Sequence, residues 1–283
     1  MALMVLVVAG VMLAAMARQS CREALLAGAA QEQLQARWGS RGLEAAILPQ
    51  ANDIFLSQLD SGGPISTRID ARFDLGGMTF QAVLSDEQAK LDANTIYRVQ
   101  GPQGLIATVG ALQADAANPL KIALTPTPPI ASRPSSTRPA LEQVEFTSLQ
   151  QIFRFDHPRQ LLAPADKGGG IAGRLTCWTM GKVNLARADA LVLKTQLAGV
   201  LTAEQVDQML QYRHDHPDVK LADVVTELEL SGAKAQDLQN LLTEESASYS
   251  LWVVAHTPTR DYYRFYIYAS HEDGGRELLS YAW

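Results

Sequence analysis

The chain has 283 residues, a formal net charge of −6, 47% hydrophobic residues and 19% charged residues. This length allows two modest domains whose core needs no disulfides, and the composition excludes collagen-like, disulfide-scaffold and fully disordered classes. A sequence pI near 5.4 argues against nucleic acid as the main partner, because phosphate binding depends mostly on Lys and Arg. The two cysteines, Cys21 and Cys177, leave one bridge or two free thiols open.

The N-terminal segment is the most informative part of the chain. Residues 1–17 carry no charged or hydrogen-bonding side chain, and the first ionisable side chain is that of Arg18. A helix over these residues would reach about 25 Å, slightly short of the ~30 Å hydrocarbon core of a bilayer. Strong helix formers follow, and Arg22 would lie with Arg18 at the level of the lipid headgroups.

Three interpretations of this segment compete. A cleaved secretory signal normally has a basic region before its apolar run, and none precedes Met1. A plain membrane anchor is the second interpretation. We favour a membrane helix that continues as a long stalk, because nothing interrupts the helical pattern before Gly39, Gly42 and Pro49. We therefore expect a membrane-spanning and stalk helix over residues 1–48.

Residues 49–124 predict the first part of a small antiparallel sheet. A short helix is expected over 52–60, and alternating residues on either side of Gly76-Gly77 predict a hairpin over 65–84. An acidic loop or short helix follows this hairpin. Three later runs are interpreted as short strands: YRVQG, LIATVGALQ and LKIALTP, at 97–101, 105–113 and 120–126.

The second half of the chain changes character after a proline-rich linker at 125–139. Residues 140–243 have a largely helical pattern, with a capping box at Thr202 and Gln205, and we expect them to form an all-helical insertion. Residues 244–283 contain β-rich runs that would complete the sheet. The predicted fold is therefore α+β: a long N-terminal helix packed on a small antiparallel sheet, with a large helical insertion between strands.

No constellation of catalytic residues emerges from the sequence. There is no nucleophile elbow, HExxH, CxxC, Walker A or GxGxxG pattern. His214 and His216 are two residues apart near a predicted helix end, so their side chains diverge and would not share a metal. The remaining histidines are His157, His256 and His271, and the run Gly168–Gly170 indicates only flexibility. We therefore expect no catalytic and no cofactor-binding residue.

Three carboxylates at Asp86, Glu87 and Asp92 are the nearest approach to a metal site. They could hold Ca²⁺ together with backbone oxygens, but their spacing does not match an EF-hand loop. A solvated turn beyond the hairpin is the favoured interpretation, and whether metal binds stays open. Cys177, beside Trp178, is interpreted as a buried thiol rather than a reactive one.

The segment 183–213 resembles a helix–hairpin–helix (SAM-like) module, which often grips DNA phosphates with backbone N–H groups. Such hairpins usually carry a glycine-rich turn, and here only Gly199 is present. Between Arg174 and Thr243 there are seven Lys or Arg and nine Asp or Glu. An acidic surface repels phosphate, so we expect this hairpin to serve packing or protein contact.

The order of these features resembles the minor pseudopilin K family of type II secretion systems (general secretion pathway protein K). The resemblance covers most of the chain: an uncharged N-terminal run, the acidic segment SDEQAKLDANT, and then FTSLQQI and LLAPAD. GKVNLARADALVL carries the family's Gly-Lys/Arg-Val/Ile-Asn element, with Gly181, Lys182, Val183, Asn184 and Leu185 in place. The helical runs LTAEQVDQMLQYR and KLADVVTEL follow in the expected order, and the chain ends in strands.

The resemblance implies a pilin-like, non-catalytic subunit at the tip of a pseudopilus. Such a subunit would join minor pseudopilins of the I and J types and the major pseudopilin, and prepilin peptidase could process it. Most pilin-like proteins carry Glu at the fifth mature position and the K member lacks it; position 5 here is Val5. The implied location is the inner membrane, single-pass, with the globular part in the periplasm. Alternatives are a minor pilin of a type IV pilus or competence system, or a membrane-tethered DNA receptor.

Overall fold

The computed structural model describes residues 2–60, 66–114, 116, 118–127, 146–162, 170–179, 181–216, 218–270 and 276–282. The helices are α1 Ala2–Ile47, α2 Ala51–Asp60, α3 Ala93–Leu112, α4 Ala190–Gln196, α5 Ala203–Asp215, α6 Leu221–Glu227 and α7 Ala233–Leu241. The longer strands are β1 Arg68–Leu75, β2 Met78–Asp86, β9 Ser248–His256, β10 Asp261–Ser270 and β11 Arg276–Ala282. Six two-residue strands lie between them: β3 Leu91–Asp92, β4 Lys121–Ile122, β5 Phe153–Arg154, β6 Leu175–Thr176, β7 Val183–Asn184 and β8 Leu242–Thr243.

Helix α1 is continuous over 46 residues and passes through Gly39 and Gly42 without a break. It therefore extends about 70 Å at 1.5 Å per residue. From Leu6 to Gln31 every side chain is exposed, and burial begins only at Glu32. We call residues 2–31 the stalk and the rest of the chain the head. Within the described residues, no helix combines the length and the mean hydropathy that a bilayer crossing requires.

The head is built on one five-stranded antiparallel sheet in the order β1-β2-β9-β10-β11. The hairpin β1–β2 turns at Gly76 and Gly77, which have φ of 60° and 79°, values that glycine adopts without steric cost. The β-rich runs expected at 244–283 form an antiparallel hairpin of β9 and β10, and β11 adds a third strand beyond it. The α+β class, with a long helix packed on an antiparallel sheet, is confirmed.

The connection from β2 to β9 holds the insertion. Among the described residues it carries α3 to α7, 3₁₀ turns at 87–89, 149–151, 158–160 and 171–173, and three small strand pairs: β3 with β6, β4 with β5, and β7 with β8. The insertion is therefore not all-helical, and α3 already belongs to it upstream of the segment expected at 140–243. Most of the predicted linker at 125–139 lies outside the described residues, while Thr125 donates its backbone N–H to the Gln151 carbonyl (2.7 Å).

The strands predicted at 97–101 and 105–113 are wrong, because both runs belong to α3. The Asp92 carboxylate caps this helix by accepting from the backbone N–H groups of Asn94 and Thr95. The helix bends at Gly101, whose φ of 69° is non-helical, and Pro102 follows there. The β-branched residues suggested strands, but Leu105, Val109 and Leu112 repeat at helical spacing and are buried.

The two faces of the sheet cover two separate cores. One core lies between the sheet and α1 with α2, and it includes Leu43, Phe55, Phe80, Leu251 and Tyr266. The other lies between the sheet and the insertion and draws on β9 and β10 through Trp252, Phe265 and Ile267. Alternate residues of the same strand thus serve different cores, as the two-residue period of a strand dictates.

Candidate functional site

The stalk presents apolar side chains to solvent on all sides. Met4, Leu6, Val7, Val8, Val11, Met12, Leu13, Met16, Leu25 and Leu26 are between 52% and 76% exposed. Soluble monomers rarely leave so much contiguous apolar surface uncovered, and such surfaces usually mark protein or membrane contacts. The stalk is therefore the largest candidate interaction surface among the described residues.

The head end of α1 has one buried face and one open face. Ala36, Ser40 and Leu43 are buried against the sheet. Leu34 and Trp38 lie on the opposite side of the helix and are 54% and 69% exposed. An exposed tryptophan next to an exposed leucine is the type of pair that anchors protein interfaces. The apolar surface of the stalk thus continues onto the head.

Gly39 sets how closely α1 approaches the sheet. A Cβ at this position would overlap the Phe80 ring on β2, so only glycine lets the helix backbone reach the aromatic face. At Gly42 a Cβ would meet no atom within 4 Å. The two glycines therefore have different surroundings, and neither ends the helix.

Arg187 joins the insertion to the sheet and to α2. Its Nη1 donates to Asp86 Oδ2 (3.1 Å) at the end of β2 and to the Tyr249 hydroxyl (3.3 Å) on β9. Its Nη2 donates to Asn52 Oδ1 (3.1 Å) on α2. Its guanidinium also lies 4.9 Å from the centre of the Phe55 ring. One buried cation thus holds three parts of the head together, and we call these residues the junction.

The three predicted carboxylates belong to this region, and the prediction of a solvated turn is wrong. Asp86, Glu87 and Asp92 are all almost completely buried. Burial raises the pKa of Asp86 and of Asp92, although hydrogen bonds to Ser246 and Thr95, respectively, act in the opposite direction. The sequence could not show this burial, because the partner Arg187 is 101 residues from Asp86 along the chain.

Each of the three carboxylates has its own internal partners. Asp86 accepts from Arg187 and from the Ser246 hydroxyl (2.6 Å). Glu87 Oε1 accepts from Lys90 Nζ and from the Ser250 hydroxyl, all three groups being buried, while Glu87 Oε2 has no partner within the described part of the chain. Asp92 is committed to capping α3. No set of three or more Asp, Glu, His or Cys able to hold a metal ion occurs in the described ranges.

The Gly-Lys-Val-Asn element orients Arg187 toward Asp86 in the junction. Gly181 has φ of 81° and lies against Thr95, whose side chain a Cβ would contact at 2.7 Å. The Asn184 side chain accepts from the backbone N–H groups of Ala186 and Arg187, and its amide donates to the Ser246 hydroxyl (2.8 Å). This buried turn places Arg187 above Asp86, while Lys182 remains exposed. The sequence element therefore has a structural explanation.

The helix–hairpin–helix candidate comprises α4 and α5, joined by a turn in which Gly199 has φ of 94°. Thr202 and Gln205 form the predicted capping box. The basic side chains of this region are engaged within the head: Arg213 Nη1 donates to the Leu185 and Ala188 carbonyls, and Lys194 pairs with Asp207 (2.8 Å). The positive charges of the hairpin therefore already have partners.

The histidines lie apart from one another. His214 and His216 lie at the end of α5, and His256 Nδ1 lies 2.8 Å from Asp261. His157 precedes the 3₁₀ turn at 158–160. His271, Gly168 and Gly169 lie outside the described residues. The structure brings none of the described histidines together.

The cysteines differ sharply in environment. Cys21 is exposed on the stalk and Cys177 is buried, and both are free. Burial first, and then the charges of Asp92 and Glu87, raise the pKa of the Cys177 thiol well above its usual range. The prediction of a buried, unreactive Cys177 is confirmed for its burial.

Sequence reasoning missed the residues that complete the junction. Asn52 and Tyr249 were not singled out. Burial and the charge of Asp86 raise the pKa of Tyr249 to about 12, while the hydrogen bond from Arg187 acts in the opposite direction. Asn52 lies on α2 at its second residue and Tyr249 on β9 at its second residue. Only their closeness in space reveals a shared role, and no motif in the sequence signals it.

Comparisons with known proteins find similarity among solved structures. No family model matches it, and no curated protein matches it. A chain in the crystal structure of the GspK-GspI-GspJ complex from the enterotoxigenic Escherichia coli type 2 secretion system is similar to it, with a TM-score of 0.49. That similarity has 12% sequence identity and covers 90% of this chain and 98% of the other.

Proposed function

We propose that the chain is a minor pseudopilin of the K type, a structural subunit at the tip of a type II secretion pseudopilus. The observation that carries the proposal is α1: a 46-residue helix whose exposed first part is apolar and whose last third alone is fastened to a head. A helix of this kind has no use for its apolar side chains within its own fold. It requires lipid or neighbouring helices to cover them.

The proposed mechanism is packing rather than chemistry. The apolar start of the stalk lies in the inner membrane and bundles there with the helices of sibling subunits, while the head stands in the periplasm. Arg18 and Arg22 would then meet anionic headgroups at the membrane surface. Above the membrane, Leu34 and Trp38 extend the same helix contact, because they face away from the sheet. The proposed role is non-catalytic and needs no cofactor.

Two features support the proposed position at the tip: the sequence resemblance and the size of the insertion. Residues 2–22 of α1 include no acidic side chain, so this stretch lacks the carboxylate that in most pilin-like proteins would contact the N-terminal amine of a neighbouring subunit. A subunit with nothing stacked above it has no need of that contact. The insertion makes the head bulky, which suits an end position. The proposed partners are minor pseudopilins of the I and J types.

Co-purification from membranes tests this proposal. The full chain would be co-expressed with I-type and J-type pseudopilins from the same secretion system, and extracted in mild detergent from the inner-membrane fraction. We expect a ternary complex. Trp38→Glu should lower its yield by about tenfold, since truncating or charging an aromatic anchor typically costs 1.4 kcal/mol or more, or about tenfold in affinity.

The matched control is Val99→Glu, which places the same charge on another exposed apolar side chain, here 78% exposed on α3. This variant should assemble like the parent chain. Recovery of the parent chain without either sibling, or outside the membrane fraction, would contradict the proposal. An equal loss of complex yield for the two variants would show that Trp38 is not part of the interface.

A further inference from the structure

A strip of arginines runs along one side of the head, between α1 and β10. Arg37 and Arg41 are one helical turn apart on α1. Arg260 immediately precedes the neighbouring strand β10, and Arg264 lies within that strand. Arg264 shares a face of the sheet with Tyr262 and Tyr266, two residues away on either side, and this face packs on α1. We call these four residues the arginine strip.

Three members of the arginine strip act on Tyr266: Arg37, Arg41 and Arg264. The Arg41 guanidinium carbon lies 5.9 Å from the centre of the Tyr266 ring. Burial raises the pKa of Tyr266, and Arg264, Arg41 and Arg37 act against that rise while Glu44 adds to it. The Tyr266 hydroxyl is buried and makes no hydrogen bond to any described residue. Three guanidinium groups from two elements thus act electrostatically on one hydroxyl that has no hydrogen-bond partner among the described residues.

The strip has too few carboxylates of its own. Arg41 pairs with Glu44 (3.0 Å), and Glu32 accepts from the Thr259 hydroxyl (2.7 Å) at the lower end of the strip. Arg260 is held over the Tyr262 ring at 4.5 Å. Arg37, Arg260 and Arg264 form no ion pair within the described residues. This excess of positive charge stands on a chain whose net charge is −6.

Like charges held together without counter-ions repel one another, and an anionic partner relieves that repulsion. Guanidinium groups favour carboxylates, which they can bind with two parallel hydrogen bonds. We propose that the arginine strip docks an acidic segment of a neighbouring pseudopilin head. The assignment of the partner rests on the proposed function, whereas the affinity for a carboxylate-rich segment does not.

A labelled octaglutamate peptide tests the surface directly. Fluorescence anisotropy with the detergent-solubilised full chain should show binding at low salt that is lost at high salt. The double variant Arg37→Glu/Arg264→Glu should bind at least about tenfold more weakly, because charge reversal turns attraction into repulsion. The control Arg72→Glu makes the same change on exposed β1, at the opposite edge of the sheet, and should bind like the parent chain.

The outcomes separate the two proposals. Absence of octaglutamate binding, or equal binding by the double variant, overturns the proposal that the arginine strip binds an acidic segment. Equal weakening by Arg72→Glu also overturns it, since the effect would then reflect net charge alone. Octaglutamate binding that depends on the strip supports the inference even where the parent chain fails to recruit I-type and J-type siblings; that failure would count against the proposed function. Unchanged thermal unfolding of the three chains establishes that each is folded.

Discussion

The stalk and the junction reverse the usual distribution of side chains in opposite ways. The stalk keeps Leu, Val and Met outside, whereas the junction and the neighbouring Glu87–Lys90 pair keep four charged side chains inside: Asp86, Glu87, Lys90 and Arg187. The buried charges have partners within the chain: Arg187 alone reaches β2, β9 and α2. The exposed apolar side chains of the stalk belong to neither core of the head in the described part of the chain.

The two regions differ in whether their side chains find partners within the chain itself. Burying charge is costly unless each group is paired, so a paired junction is a finished structural element. Exposing apolar surface is costly unless another molecule covers it, and the proposed function assigns that cover to lipid and to sibling subunits. Substitutions at the junction should therefore act on the stability of the isolated chain, and substitutions on the stalk should act on assembly.

The largest expected effect is at Arg187. Replacement by Leu would remove the cation from buried Asp86 and the donors that Asn52 and Tyr249 accept from. We expect the free energy of unfolding to fall by about 3–5 kcal/mol, because the remaining carboxylate stays buried without its charge partner. Denaturant titration monitored by tryptophan fluorescence measures it.

The control for Arg187 is Arg72→Leu. Arg72 is exposed on the edge strand β1, and its loss should change the free energy of unfolding by less than about 0.5 kcal/mol. A similar small change for Arg187→Leu would show that the junction does not hold the insertion in place.

A smaller effect is expected from the Glu87–Lys90 pair. Lys90→Met would leave Glu87 buried without its cation, at a cost of about 3 kcal/mol. The double variant Glu87→Leu/Lys90→Met removes both charges together. It should unfold within about 1 kcal/mol of the parent chain, because an apolar pair of similar volume often replaces a buried ion pair without loss. A double variant as unstable as Lys90→Met would mean that the ion pair itself stabilises the head.

The smallest and sharpest comparison is between the two glycines of α1. Gly39→Ala should destabilise the head by about 1–3 kcal/mol, because the new methyl group overlaps the Phe80 ring and the helix must move. Gly42→Ala has open space and a helical backbone, so it should stabilise by about 0.5–1 kcal/mol. Opposite shifts in thermal unfolding temperature check both. Shifts of the same sign would mean that α1 does not rest on Phe80.

Local patterns predicted the elements whose signals are themselves local. The hairpin at Gly76-Gly77, the capping box at Thr202 and the continuous α1 needed only neighbouring residues. Helix α3 was missed because Tyr97, Val99 and Ile106 favour strands and Gly101-Pro102 is typical of a break. Its true stabilisation is tertiary, through Leu105, Val109 and Leu112 in the insertion core.

The candidate surfaces divide in the same way. The apolar stalk was predictable, since a run of uncharged residues is visible without a structure. The burial of Asp86 and Glu87 was not, because acidic residues after a hairpin ordinarily face water. Their partners come from distant parts of the chain: Arg187 from the insertion and Ser250 from β9. The arginine strip was equally hidden, since α1 and β10 meet only in the folded head.

Strand β2 ends where β9 begins: in the antiparallel register, Asp86 stands opposite Tyr249. The insertion between them therefore leaves the sheet and re-enters it at the same point. Replacing everything from Glu87 to Ala247 by a tight reverse turn would preserve the hydrogen-bonded ladder of β2 with β9. An insertion that is attached at a single point in this way can be gained, enlarged or exchanged during evolution while the strand order of the sheet stays the same.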